Sequence, residues 1–79
     1  MSIYHINIYN DVDSIDKEGI EFPDLAAAKD AAIEGVRAMM AEHVAAGRPV
    51  TLHHRAEIVG ASGTVLAVIS FKELITIVP

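Results

Sequence analysis

The chain contains no cysteine, so it has neither disulfide staples nor thiolate metal ligands. No apolar stretch approaches membrane-spanning length. The opening residues Met1-Ser2-Ile3-Tyr4-His5 lack the basic region and apolar run that mark a secretory leader, so a cytoplasmic protein is expected. Basic residues are scarce: six Lys and Arg stand against 11 Asp and Glu, for a net charge of -5 and a pI near 5.1. That balance disfavours phosphate-backbone binding by the surface as a whole, and nucleic acid is not an expected partner. There is no repeat, low-complexity segment or linker.

With 79 residues the chain reads as a single domain, residues 1–79. A chain of this size buries only ~60% of the surface its unfolded state exposes, so its own core is marginal. Without disulfides, association with another chain is the most economical supplement.

Ile3 to Tyr9 alternates as a strand, with Tyr4, Ile6 and Ile8 on one face and Ile3, His5, Asn7 and Tyr9 on the other. Asn10 to Lys17 is a polar, acidic loop, and Ile20 to Phe22 a short returning strand. Asp24 is the expected N-cap of a helix of about six turns that Gly47 and Pro49 stop. Its core stripe is Leu25, Ala28, Ala32, Val36, Met39 or Met40, and Val44, with Asp30, Glu34, Arg37 and Glu42 toward solvent. The alanines let the helix approach a sheet closely, so bulk must come from the sheet.

Thr51 to Val59 and Thr64 to Phe71 flank Gly60-Ala61-Ser62-Gly63, a hairpin. An even loop sets Ile58 opposite Val65, Ala56 opposite Ala67, His54 opposite Ile69 and Leu52 opposite Phe71 on one face. It leaves His53, Arg55, Glu57, Leu66 and Val68 on the other. A three-residue loop ending in a left-handed Gly63 is the rival and would mix the faces; the even register is preferred because it segregates apolar from polar. Leu74 to Val78, after a turn or one helical turn at Phe71-Lys72-Glu73, reads as a last strand or a short helix.

Tyr4-His5-Ile6-Asn7, the run Asp16 to Leu25, Ala28 and Ala32, then Glu57-Ile58-Val59 through Gly63 to Leu66 and Phe71, together resemble a family of small bacterial proteins of unknown function. The resemblance covers nearly the whole chain and implies no catalytic residues. The family usually carries acidic residues before the hairpin glycine, where this chain has Gly60-Ala61-Ser62, so any ligand role of such carboxylates is absent here. In layout, strand, acidic loop, short strand and alanine-rich helix also resemble the partial ribonuclease H-like domain of HicB-type antitoxins.

Candidate chemistry is thin. Asp11, Asp13, Asp16, Glu18, Glu21 and Asp24 crowd one segment, but a calcium loop starting at Asp11 would need glycine at Asp16 and glutamate at Phe22. Solvated carboxylates with one helix cap are the expected reading. His5 and His53 share the outer face of the expected sheet, yet adjacent His53 and His54 point to opposite faces of a regular strand, and two ligands do not make a zinc site. Arg48, His53, His54 and Arg55 form a small basic cluster that reads as a solvated surface. Strand one offers Ile6, Asn7 and Ile8 where a two-metal nuclease needs carboxylates. Ser2, Ser14, Ser62 and Ser70 sit in no nucleophile elbow.

These features specify an α+β domain, ββαββ with a possible fifth strand, with one long helix on one face of a mainly antiparallel sheet. No catalytic residue, cofactor or metal site is expected. Strand four is apolar on both faces while a single helix covers one, so a homodimer is expected, through an interface of Ile3, His5, Tyr9, His53, Arg55, Leu66 and Val68. The expected function is a non-catalytic interaction or regulatory module. Alternatives are an antitoxin-like protein with a heterologous partner and a small metal-dependent hydrolase.

Overall fold

A computed structural model describes residues 1–79. It contains β1 (Ser2–Tyr9), β2 (Ile20–Phe22), α1 (Leu25–Ala45), β3 (Arg55–Gly60) and β4 (Val65–Ser70), followed by one turn of 3₁₀-helix, Phe71–Glu73. The strands form one antiparallel sheet in the order β2-β1-β3-β4. This is the expected α+β arrangement, with α1 across one face. No helix is long and apolar enough to cross a membrane.

Both ends of α1 are set by the expected residues. Asp24 is extended, and its carboxylate accepts from the Ala27 N–H at 2.9 Å. At the other end Gly47 takes φ +71°, while its N–H donates to Val44 and that of Arg48 to His43, a Schellman closure. Ala28, Ala32, Val36 and Met40 are buried against Ala56, Ile58, Ile69, Phe71 and Leu74, with Tyr4, Ile6 and Ile8 packed around them. Val44 departs from the expected stripe and is 69% exposed. The reason is length: 21 helical residues span roughly 31 Å. A strand of six residues spans about 20 Å, so the last turns of α1 overshoot the sheet.

The hairpin takes the three-residue loop rather than the preferred even one. Gly63 N–H donates to the Gly60 carbonyl at 3.0 Å, Gly60 N–H donates to the Thr64 carbonyl at 2.8 Å, and Gly63 has φ +87°. This register sets Val59 opposite Val65, and a bulge between Ile58 and Val59 then restores the apolar segregation, with Ile58 opposite Ala67 and Ala56 opposite Ile69. Leu66 is the extra residue. Ala56, Ile58 and Ala67 keep their expected inward face, but each partner differs from the even-register pairing.

Two other expectations are corrected. Residues 51–54 are a turn, with His54 N–H donating to the Thr51 carbonyl at 3.3 Å, so β3 starts four residues later than expected. The 3₁₀ turn at Phe71–Glu73 matches the expected helical turn, but residues 75–79 form neither strand nor helix within the chain.

Candidate functional site

The outer face of the sheet, away from α1, is finished by two different means. Its polar half is closed by the loop between β1 and β2, and Asp16 is the hub. The carboxylate accepts from Gly19 N–H at 2.9 Å and from Ile6 N–H at 3.4 Å. Its backbone N–H donates to Asn7 Oδ1 at 2.9 Å, and its carbonyl accepts from His5 Nδ1 at 2.7 Å. A carbonyl can only accept, so His5 carries its proton on Nδ1. Ile8 and Ser14 exchange both main-chain hydrogen bonds beside this hub. The loop thereby extends the short β2 along β1, which is how Asn7 comes to be buried on the outer face. Asp16 is therefore structural rather than solvated. One carboxylate in an acidic run gives no signal of that in the sequence.

The rest of the polar half is a stack. The Arg55 guanidinium lies 4.4 Å from the centre of the Tyr9 ring, and Arg55 Nε donates to Glu57 Oε2 at 2.9 Å. Both Tyr9 and Arg55 of the expected interface are thus engaged within the chain.

The other half is apolar and uncovered. Val59 lies opposite His5 and Val65, and Ile3, Val65 and Val68 are all exposed, Val68 by 55%. Leu66 is exposed too but turns to the helix side. A Cβ added at Gly60, which faces inward in the alternation of Ala56 and Ile58, would meet Leu66 Cδ1 at 3.2 Å. The bulge thus gives the outward place expected for Leu66 to Val65, which sequence reasoning missed because all the neighbours are apolar.

The histidines are dispersed. His5 pairs with Val59, whereas His53 lies in the turn before Arg55, which pairs with Tyr9 at the opposite end of β1. The four strand steps from Val59 to Arg55, roughly 13 Å, and the turn before Arg55 separate them, so the expected shared face for His5 and His53 is not found. His54 stacks its edge on Phe71 with centroids 5.8 Å apart, and its Nε2 is 3.7 Å from Asp11 Oδ1. No hydroxyl is hydrogen-bonded to its ring, so the pair has no nucleophile to activate. A polar cleft of about 270 Å³ nearby is lined by Asn10, Asp11, Val12, His43, Arg48 and Pro49. The His43 Nδ1 there is used on the Pro49 carbonyl at 3.2 Å. No group of three or more His, Asp or Glu side chains is placed to hold a metal ion.

On the helix side, the overshooting turns of α1 form an apolar groove of about 680 Å³ with Val50, Leu52 and the segment after β4. Arg37 is its one charged lining residue, and Arg37 Nε donates to the Leu74 carbonyl at 3.2 Å.

The profile of a domain of unknown function, DUF6894, matches residues 3–72. The chain belongs to the DUF6894 family. The match takes in the sheet from Ile3 onward, α1 and the Asp16 hub. Within this DUF6894 domain the hairpin Ala61-Ser62-Gly63 presents no carboxylate. No curated protein and no solved structure matches the chain, so the likeness to HicB-type antitoxins rests on layout alone.

Proposed function

We propose that this DUF6894 chain is a non-catalytic, cytoplasmic interaction module that works as a self-association unit, with the uncovered half of the outer sheet face as contact surface. The observation that carries this reading is the contrast within that face. The Asp16 loop and the Tyr9-Arg55-Glu57 stack occupy one half, whereas Val59, Val65 and Val68 have no covering element, and Ile3, with Gly19 packed on one side of it, stays 41% exposed at their margin. A contiguous apolar patch on a domain with so small a core is the usual mark of a protein contact. A second copy suits it because the patch residues carry no charge; of the carboxylates that border it, Glu57, opposite Val68, is engaged by Arg55 within the chain, and Glu21, opposite Ile3, lies at the edge. His5 lies at the margin of the patch, whereas Tyr9, His53 and Arg55 fall outside it.

Light scattering on the full chain at micromolar concentration is expected to give at least twice the chain mass, and Val68→Asp to lower it while helical circular dichroism is preserved. A wild-type chain that stays monomeric would overturn self-association and favour a heterologous protein partner on the same patch, the antitoxin-like arrangement. The hydrolase reading has no supporting geometry: the Asp11–His54 pair lacks a nucleophile and a substrate-sized cleft of its own.

A further inference from the structure

The segment after β4 carries a strand pattern that the single chain leaves unused. Leu74-Ile75-Thr76-Ile77-Val78 is rich in β-branched residues. From Ile75 to Pro79, however, the chain makes no turn and no main-chain hydrogen bond. Two contacts hold it away from the free edge of β4: Leu74 is buried in the core, and its carbonyl is held by Arg37. Folding back beside β4 as a hairpin strand would withdraw Leu74 from the core. The segment instead runs along the overshooting turns of α1, where Ile75 and Ile77, but not Thr76, line the apolar groove with Ala41, Val44 and Ala45.

We propose that a second copy of the chain completes this groove, the two segments pairing as antiparallel strands about a two-fold axis at Thr76. Residues directly opposite in an antiparallel pair point to the same face. With the axis at Thr76, that threonine meets Thr76 of the second copy, and each Ile75 meets an Ile77. All four isoleucines then lie on the groove side and both threonines on the other, a favourable cross-strand pairing. A slip of one residue sets Thr76 against an isoleucine and destroys this segregation. An isolated pair of short strands is marginal in water, and α1 supplies the surface on which this one packs. No charge lies between Leu74 and Val78. The segment lies outside the matched residues 3–72, so the contact belongs to this chain and not to the matched part of the family. It rests on the self-association proposed above but uses the opposite side of the sheet, so neither contact occludes the other.

The absence of cysteine makes the test direct. Thr76→Cys in the full chain, mildly oxidised, is expected to give a disulfide-linked dimer on a denaturing gel. Opposed residues in an antiparallel pair have Cα atoms about 4.5–5.5 Å apart, within the range a disulfide spans. Ser62→Cys in the exposed hairpin is the collision control and is expected to cross-link far less. Stopping the chain after Leu74 is expected to lower the assembly mass, with circular dichroism checking that the shortened chain is folded. Cross-linking of Thr76→Cys no greater than that of Ser62→Cys overturns the pairing. If Val68→Asp lowers the mass while the shortened, folded chain keeps the wild-type mass, the outer-face reading stands and the strand pairing falls. The reverse pattern retains the pairing and removes the outer-face contact.

Discussion

The helix-side face of the sheet and its outer face are built on the same four strands but closed by different physics. On the helix side a single element suffices. Ala28 and Ala32 bring the α1 backbone close, Ile58 and Ile69 supply the bulk, and Ala56 and Ala67 leave room. On the outer side a loop centred on one carboxylate covers only the half nearest β2, and it does so with hydrogen bonds rather than apolar packing. The difference shows where a small domain without disulfides places its polar order and where it leaves apolar side chains exposed.

The largest effect is expected from breaking the helix side. Val36→Asp sets a carboxylate without a partner in the middle of the helix–sheet contact, at a residue with no exposure, a cost on the order of 4 kcal/mol or more. That is comparable with the whole stability of a domain of this size, so thermal denaturation should find the variant unfolded. Glu34→Ala, on the solvent side of α1, should melt close to wild type. The opposite ranking would mean that the helix phase is wrong.

The polar half of the outer face should yield an intermediate effect. Asp16→Ala removes the acceptor for both Gly19 N–H and Ile6 N–H, which should cost about 1–3 kcal/mol by urea denaturation. Retained stability would show that the loop is solvated and not a cover.

Two glycines sharpen the contrast further. Gly19, at the end of that loop, has φ +81°, and a Cβ there would collide with Ile3 Cγ2 and lie 3.0 Å from His5 Cε1. Gly19→Ala is therefore expected to cost about 1–3 kcal/mol. Gly35, in the middle of α1, has nothing within 4 Å of an added Cβ, so Gly35→Ala should gain about 0.5–1 kcal/mol from helix propensity alone. Equal responses to the two substitutions in a urea titration would contradict the close packing of the loop onto β1.

The helix was the most legible part of the sequence because several local signals agree there: the Asp24 cap, the three-and-four spacing and the Gly47 stop. The sheet was legible in its strands and inward positions but not in its pairing. A bulge at Leu66 exchanges one apolar residue for another on the outer face, and hydrophobic pattern is blind to that exchange. Thr51 to His54 has β-like composition yet forms a turn, held by the Thr51 carbonyl. The Asp16 hub was illegible for a different reason. Its value lies in which four groups surround it, and three of them come from β1, about ten residues away in the chain. The strand-like Ile75–Val78 segment is the converse case, a local signal for which a single chain offers no partner.

The central claim, that the uncovered apolar half of the outer face is a self-association surface, is tested most directly by light scattering on wild-type and Val68→Asp chains side by side. At the same micromolar concentration, and with matching helical circular dichroism, the account predicts at least twice the chain mass for the wild type and a smaller mass for the variant. Identical masses for the two folded proteins would contradict it.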